Sequence, residues 1–374
     1  MALKIFSISK NDWAGCGYFL SDAINECTDH HSIAAKLEPS VLGFPHDLVG
    51  LRRQQVGRLC DWADVIHIHD AAFNLKSFHK PVVITHHGTK FRRAPHAFIK
   101  GARQMGRLIT VATPDLTGFG PPLMPDCRPD LSQYRNLGNK FTVVHAPTKR
   151  DVKGTERVIA ACKKAGVKLD LIEDVPWKEC MERKGRGHLL IDQFELGYGC
   201  NAIEAWSMGI PVIADGTKEV IDAIYDRFKS IPFVRPYSTL EDTIVNLRDD
   251  GEAWAVAAAA GHQHYLNYHS YEAASELAVW VYEQAFDQFW TSYDKNNTVA
   301  RNRMPQVLQA EPLVLLRYLG KKSGDTKWFP DNGTRTTYWF SAKEPLRYVY
   351  ESDVEWFIEQ RGKGEKPMFV REKE

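Results

Sequence analysis

The sequence of 374 residues lacks a long apolar run, a strong net charge and any paired cysteine motif. No hydrophobic stretch approaches the roughly 20 residues that a membrane span needs, and the start, MALKIFSISKND, turns polar too early for a signal peptide. A formal net charge of +1 argues against a partner that is held by overall charge. The seven cysteines are scattered without a C-x-x-C pair, which predicts reduced thiols in a cytoplasm rather than a disulfide framework.

Acidic residues are absent from the segment 71–114, although the chain as a whole is balanced in charge. This concentration of positive charge predicts contact with an anionic acceptor, or with an anionic surface that presents one. The alternative is a solvated helix face that only complements the phosphates of another ligand. The basic residues are Lys76, Lys80, Lys90, Arg92, Arg93, Lys100, Arg103 and Arg107, of which Lys100, Arg103 and Arg107 have helical spacing.

The segment 191–216, IDQFELGYGCNAIEAWSMGIPVIADG, predicts a strand end, a Gly-x-Gly turn, a helix and a buried strand. Gly197 and Gly199 free the backbone of the turn to approach a ligand closely. The helix is expected over 201–208, with Asn201 as its N-cap. A glycine-rich turn that leads into a helix N-terminus is a ready anion site, because free N–H groups point at the ligand.

Glu204 lies one turn into this helix, where a carboxylate could accept two hydroxyl groups of a ribose. With its surroundings, the segment resembles the donor signature of glycosyltransferase family 4. The second glutamate of that signature and the residues after it are matched by Glu204, Ala205, Gly209, Pro211 and Val212. The first glutamate has its counterpart in Glu195, one position early, and Asp192-Gln193 could substitute for it.

The resemblance implies an α/β protein with the GT-B fold, in which two Rossmann-like doubly wound domains face each other across a cleft. We expect an acceptor domain over 1–135 and a nucleotide-sugar-binding domain over 136–290, ending in a helix that returns to the first domain. A polar linker (291–311) then leads to a small β-rich module (312–374) with alternating strand-like runs and turns. The module weakly resembles modules of phage structural proteins, and its aromatic residues are expected to form its own core.

The first domain opens with a strand and a turn that contains Gly15 and Gly17, without the full G-x-G-x-x-G of a dinucleotide site. In GT-B enzymes this turn faces the cleft, so both glycines are site candidates. Polar residues also follow two predicted buried strands, at the sheet edge where ligands bind. The resemblance assigns a contact with the donor sugar or the reaction centre to His87 or His86. Zinc bound by His67, His69, Asp70, His86 and His87, or histidines satisfied within loops, are the competing interpretations.

The second domain begins with FTVVHAPTKRDVKGTERV, a strand and turn followed by Lys-Gly at the start of a helix. This arrangement is similar to family 4, and it implies that Arg150 and Lys153 clamp the donor diphosphate, with Lys149 as a further candidate. Their positive charge would stabilise the departing nucleotide, which is the role of a metal in other transferases. The segment 173–175 is expected near the nucleotide base.

The resemblance implies a retaining, metal-independent glycosyltransferase that uses a nucleotide diphosphate sugar and no cofactor. The acceptor hydroxyl could belong to modified phage DNA, a virion protein, a lipid or a glycan. A catalytically idle GT-B domain, docked by its C-terminal module, is the alternative from another class. A GT-B phosphorylase or sugar-nucleotide epimerase is a third reading, although the acid and base groups it needs are not evident.

Overall fold

The computed structural model describes residues 2–12, 14–40, 42–69, 80–104, 107–121, 123–296, 313–319, 326–328, 338–340, 346–360 and 367–371. Asp70 and Lys76, which the sequence analysis singled out, lie outside these residues. The predicted α/β architecture is confirmed, because two parallel sheets follow each other along the chain and helices connect their strands.

The first domain is built on a six-stranded parallel sheet with the order β3-β2-β1-β4-β5-β6. Its central strands are buried on both faces, as expected where helices cover a parallel sheet. The strands are β1 (Lys4–Ser9), β2 (His31–Lys36), β3 (Leu48–Val49), β4 (Val65–His69), β5 (Val82–His86) and β6 (Leu108–Val111). The helices are α1 (Cys16–Cys27), α2 (Arg53–Trp62), α3 (Thr89–Arg93) and α4 (Pro95–Gln104).

The second domain repeats the pattern with a four-stranded parallel sheet of order β11-β9-β7-β8 and a small antiparallel pair, β10-β12. The strands are β7 (Thr142–His145), β8 (Lys168–Leu171), β9 (Leu189–Ile191), β10 (Leu196–Gly197), β11 (Val212–Ile213) and β12 (Asp215–Gly216). The helices are α5 (Arg150–Lys153), α6 (Thr155–Ala165), α7 (Trp177–Lys184), α8 (Cys200–Ser207), α9 (Lys218–Phe228), α10 (Leu240–Asp249) and α11 (Gly251–Tyr268).

A long helix, α12 (Tyr271–Asn296), follows α11 and packs against the first domain. Its Tyr271, Ala278 and Tyr282 belong to one buried cluster with Ile5 and Phe19 of the first domain. The hydroxyl of Tyr282 also lies 2.8 Å from Nδ1 of His67 on β4. Helix α12 follows the second domain in sequence but packs on the first, so it connects the two domains.

The C-terminal segment contains β13 (Leu313–Tyr318), β14 (Thr326–Trp328), β15 (Tyr338–Phe340), β16 (Leu346–Tyr350), α13 (Glu351–Glu359) and β17 (Phe369–Arg371). These elements match the strand-like runs seen in the sequence. Phe357 and Phe369 are buried in the same hydrophobic cluster as Leu59 and Ile66 of the first domain. The module therefore shares a core with the first domain, contrary to the expectation of a separate core, while its boundaries stay a prediction.

Among the described residues, no helix combines the length and the apolar content that crossing a membrane requires. All seven cysteines are free thiols.

Candidate functional site

A cavity of about 610 Å³ opens between the two domains, beside the N-terminus of α8. The first domain contributes Ala14, Leu42 and Phe44 to its wall. The second domain contributes Ala146, Pro147, Thr148, Lys153, Ile172, Asp174, Val175, Trp177, Cys180, Cys200, Asn201 and Glu204. Three residues that the sequence analysis placed at the site, Lys153, Asn201 and Glu204, thus line one cavity, and Asp174 and Val175 lie there as expected for the segment 173–175.

Carboxylates of the chain itself cap the two helices that begin at the cleft. The amides of Gly17 and Tyr18 at the start of α1 each lie 3.1 Å from a carboxylate oxygen of Asp12. Burial raises the pKa of Asp12, although these amide hydrogen bonds oppose the increase. At the start of α8 the amide of Gly199 donates to Oδ2 of Asp192 over 2.8 Å. Both helix N-termini therefore bind an anion, as their dipoles favour.

Asp192 also binds Lys153, whose Nζ lies 2.5 Å from Oδ1. The side chain of Lys153 is 12% exposed and that of Asp192 only 1%. Lys153 and the Gly199 amide thus converge on one buried carboxylate. That Asp192-Gln193 substitutes for the first glutamate stays a prediction.

Glu204 is buried on α8 and is held by three donors. Its Oε1 accepts hydrogen bonds from Nε of Arg128 (3.1 Å) and Nε1 of Trp177 (3.0 Å), and its Oε2 accepts one from Nζ of Lys184. Burial alone would raise the pKa of Glu204, but the charges of Lys184 and Arg128 outweigh burial and hold the pKa below its usual value. Glu204 is therefore ionised and leaves little hydrogen-bonding capacity unused.

Sequence reasoning missed Arg128, Lys184 and Trp177 as partners of Glu204. Arg128 lies in the Pro-rich segment 123–131, the crossing between the two domains, and it also donates to the carbonyl of Ala14 over 2.7 Å. Arg128 and Lys184 are fully buried. Nothing in the local sequence distinguishes these cations from surface residues, because only the tertiary fold brings them to α8.

Asn201 does not cap α8. The helix begins at Cys200 with Gly199 as its N-cap, and Asp192 supplies the capping carboxylate. The side chain of Asn201 instead donates to the carbonyl of Ala146 over 2.7 Å and accepts from Lys184 over 2.6 Å. Asn201 therefore links α8 to Ala146, the residue after β7, and to Lys184.

Arg150 does not line the cavity. Its side chain is 46% exposed and pairs with Glu156 and Glu173, at 2.7 Å each. Lys149 is exposed as the N-cap residue of α5. A contact between either residue and a diphosphate stays a prediction, and Arg150 would have to exchange its two carboxylates for it.

Glu195 and Gly197 lie away from the cavity wall. Glu195 is exposed, and its backbone carbonyl accepts from the amide of Thr217. Gly197 has φ 73°, and a Cβ atom there would lie 2.6 Å from Ile224 of α9. The glycine is thus explained by backbone conformation and packing, without any ligand.

Gly15 and Gly17 likewise have structural reasons. Gly15 has φ 68°, and a Cβ atom there would lie 2.7 Å from the ring of Phe44. A Cβ atom on Gly17 would meet His69 at 3.2 Å. Both glycines lie where α1 begins at the cleft, next to Ala14 of the cavity wall.

The structure separates the two histidines that the sequence left as alternatives. His86 is buried, with its ring centroid 4.7 Å from that of Phe91. His87 instead faces the domain crossing, where its Nδ1 lies 3.1 Å from Oδ1 of Asp126. Its Nε2 lies 2.9 Å from Nδ1 of His69. His87 is therefore the one of the pair that is placed near the cleft.

The acid-free segment 71–114 is only partly available for an anionic partner. Arg92 makes a bidentate ion pair with Asp115, which lies just beyond the segment, at 2.7 and 2.9 Å. Lys80 donates to the carbonyls of Asp61 and Ala63. Helix α4 ends at Gln104, so the predicted helical face does not extend to Arg107. Arg93 and Lys100 are exposed.

Three solved structures show what this arrangement resembles. A glycosyltransferase from Rickettsia africae ESF-5 superposes with a TM-score of 0.54 at 10% identity, covering 76% of this chain and 98% of that one. Anabaena HepE in complex with UDP and glucose gives 0.53 at 11%, covering 75% and 99%. An alpha-glucosyltransferase in complex with UDP and a 13-mer DNA containing an HMU base gives 0.52 at 11%, covering 78% and 100%.

The chain has the GT-B fold. At such low identities the likeness concerns the fold alone. No known family model matches the sequence, and no curated protein matches it either. The two Rossmann-like domains and the cleft between them therefore follow from the comparisons, whereas the chemistry has to be argued from this chain's own residues.

Proposed function

We propose that this protein is a glycosyltransferase that moves a glycosyl group from a nucleotide diphosphate sugar to an acceptor hydroxyl. The observation that carries the proposal is the cavity of about 610 Å³ between the domains of a GT-B fold. Its wall contains the N-terminal residues of α8, the Lys153 ammonium and the Glu204 carboxylate. A positive helix end, a cation and an acceptor for hydroxyls are the groups that a diphosphate linked to a ribose requires.

The donor diphosphate would take the place of the Asp192 carboxylate. Asp192 marks an anion position in which a helix N–H and an ammonium group converge. A phosphate oxygen is an acceptor of the same kind with more charge, so it can accept both hydrogen bonds once Asp192 turns away. Arg150 would approach from the rim of this position.

Ribose and base would extend along the second-domain wall. Oε2 of Glu204 accepts from Lys184, and a carboxylate oxygen has two lone pairs, so one ribose hydroxyl can still donate to it. Ile172, Asp174 and Val175 line the adjoining wall, where the base would lie.

The transfer would retain the anomeric configuration by displacement on the same face of the sugar. The bond from the anomeric carbon to phosphate oxygen breaks, the bond to the acceptor oxygen forms, and the acceptor proton moves to the leaving phosphate. This step requires no protein nucleophile, no cofactor and no metal, because Lys153 and Arg150 would stabilise the negative charge that develops on the diphosphate. His87 would contact the sugar or the acceptor.

The test is to titrate the full-length protein with a panel of nucleotide diphosphate sugars and to follow thermal unfolding. A donor at 100 times its dissociation constant should stabilise the fold by about 2.7 kcal/mol. Lys153→Ala should reduce this stabilisation, while the matched control Lys163→Ala, an exposed lysine of the same domain, should keep it. If no nucleotide stabilises the protein, the donor site is wrong.

One observation favours an idle binding domain as a second candidate. Both carboxylate oxygens of Glu204 are already engaged, and Glu195 is remote from the cavity wall. A site that binds a nucleotide without turnover would fit these contacts equally well. Donor hydrolysis without acceptor separates the two, because an idle domain binds the donor but releases no nucleoside diphosphate.

We propose a polyanion as the acceptor, with duplex DNA carrying a hydroxylated base as the first to test and a phage as a fitting source. The exposed residues Arg93 and Lys100 support this choice. They lie on α3 and α4, the two helices that follow β5 and His87 in the chain. The base would have to be flipped out of the duplex to reach the cleft. A virion protein, a lipid or a glycan would be identified by transfer to those acceptors instead.

A further inference from the structure

Three metal-binding side chains meet where the two domains face each other, and a fourth, Cys200, lies beside one of them. Cys16 is the first residue of α1, His87 follows β5, and Asp126 lies in the crossing between the domains. Their ligand atoms all lie within 4.8 Å of one another. Cys200, the first residue of α8, places its Sγ 3.6 Å from Oδ2 of Asp126.

We propose that Cys16, His87, Asp126 and Cys200 bind a thiophilic divalent cation such as Zn²⁺ and thereby bridge the two domains. Two thiolates, an imidazole and a carboxylate form a ligand set typical of tetrahedral zinc. With zinc–ligand distances of about 2.0–2.3 Å, the edges of such a tetrahedron measure roughly 3.5 Å. The three clustered ligand atoms therefore need to move together by only about an ångström.

Side-chain contacts centre the cluster on Asp126. The thiol of Cys200 and the imidazole of His87 contact the carboxylate of Asp126, and Sγ of Cys16 lies within 4.8 Å of it. A cation that replaces the protons of these groups keeps each ligand in place, with proton release upon binding.

Neighbouring groups orient the ligands as an outer shell does in metal sites. Nε2 of His87 lies 2.9 Å from Nδ1 of His69, and Nε2 of His69 lies 3.0 Å from Oγ of Ser7. Because Nε2 of His87 is engaged by His69, its Nδ1 points to Asp126 in the cluster. The backbone carbonyl of Asp126 lies 2.7 Å from Nδ1 of His269, which holds the crossing at this point. Such second contacts fix the ring orientation of a ligating histidine.

The charges balance. Two thiolates and one carboxylate carry three negative charges, and a divalent cation leaves one of them uncompensated. Arg128, which is fully buried, acts electrostatically on Asp126, Cys16 and Cys200 and supplies the remaining positive charge. Lys184 meanwhile compensates Glu204.

The site adjoins the donor position, because Cys200 also lines the cavity, and it differs from the four-histidine set suggested by the sequence. In the structure His67 lies against Tyr282 and Thr85, and His86 stacks on Phe91, so these two histidines are engaged elsewhere. The inference does not depend on transferase activity. For a metal-independent transferase, a cation at this position would hold α1 and α8 together and inhibit turnover.

The test titrates Co²⁺ into the reduced, metal-free full-length protein. We expect one equivalent to bind with the visible absorption of tetrahedral cobalt and a thiolate-to-cobalt charge-transfer band, and Zn²⁺ to displace it. Cys16→Ser, Cys200→Ser and Asp126→Asn should each weaken binding by more than the roughly 10–100-fold that the loss of an outer-shell contact costs. The matched control Cys27→Ser, at the other end of α1, should bind like the wild type.

Thermal unfolding of each variant shows whether it folds. Cys16 and Cys200 lie in different domains, so if one serine variant does not fold, the other still tests the site. Absence of thiolate–cobalt absorption in the reduced wild type would overturn the proposal. So would a Cys16→Ser variant that binds like the wild type. A Cys16–Cys200 disulfide in the isolated protein, without cobalt binding after reduction, would also contradict it.

Discussion

Nε of Arg128 lies 3.1 Å from Oε1 of Glu204, and these side chains are 0% and 3% exposed. The pair joins the crossing between the domains to the helix that carries the candidate donor site. Lys184 completes the arrangement from α7, so two buried cations share one carboxylate. Breaking a buried ion pair from one side leaves an uncompensated charge in a medium of low polarity.

Glu204→Gln should therefore destabilise the fold as well as weaken the donor. We expect the free energy of unfolding in urea to fall by about 3 kcal/mol, since the buried cations lose their counter-charge. The matched control Glu195→Gln, on the exposed side of the same turn, should change it by less than about 0.5 kcal/mol. Equal stability of the two variants would show that the pair is not important for folding.

The direction in which the pKa of Glu204 is shifted predicts how the stability of the wild type and of Glu204→Gln depends on pH. Because the pKa of Glu204 is depressed in the folded protein, its stabilisation is present above the unfolded value of about 4.3 and is lost as pH falls through the folded value. The wild type should lose stability in this acid range more steeply than Glu204→Gln. Parallel stability curves would contradict the assignment.

Lys153→Ala should lower turnover more than it raises the donor Michaelis constant. The charge on the diphosphate grows as the glycosidic bond breaks, so a cation beside it acts chiefly in the transition state. We expect a loss in kcat of about a hundredfold for Lys153 and a smaller loss for the exposed, ion-paired Arg150. If Lys153→Ala changed only the Michaelis constant, the residue would bind substrate and transition state equally and the leaving-group role would be wrong.

Reversing the charge of Arg93 and Lys100 should weaken binding to duplex DNA without changing donor affinity. Each phosphate contact contributes about −0.9 to the slope of log K against log salt, so the double variant should bind with a shallower slope. Lys163→Glu with Lys178→Glu, two exposed lysines of the second domain, is the control. Salt-insensitive or absent DNA binding by the wild type would remove DNA as acceptor, and binding to anionic liposomes alone would assign the patch to a membrane surface.

Phe357→Ala should destabilise the first domain. Phe357 is fully buried in the cluster that contains Leu59 and Ile66, and removing such a ring costs about 3–5 kcal/mol. Glu355→Ala, exposed on the same helix, is the matched control. If hydrogen exchange on β4 stayed unchanged in Phe357→Ala, the module would have an independent core after all.

The fold was accessible from the sequence because its signals are local. Buried strands, glycine turns and helix periodicity lie in contiguous segments, as in 191–216, and the helix α8 was placed within one residue. The family resemblance pointed to Glu204 and Lys153, and both line the cavity. The predicted N-cap of α8 was wrong, because the helix begins at Cys200 and Asn201 lies within its first turn, where its side chain bonds to Ala146 and Lys184.

The missing parts of the site depend on contacts between distant residues. Arg128 and Glu204 are 76 positions apart, and Cys16 and Cys200 meet only because two domains close on each other. The basic segment was overestimated because Asp115, one residue past its end, neutralises Arg92. The packing of the C-terminal module on the first domain could not be predicted either, because the sequence shows that Phe357 is apolar but not which residues it packs against.

The most direct measurement of the central claim is the release of nucleoside diphosphate from a panel of nucleotide diphosphate sugars. The purified full-length protein is assayed without acceptor, with and without a chelator, beside Lys153→Ala. We predict slow hydrolysis of at least one donor that the chelator does not reduce and that is strongly reduced in the variant. Tight nucleotide binding without any release would establish an idle domain, and strict dependence on an added metal would contradict the proposed mechanism.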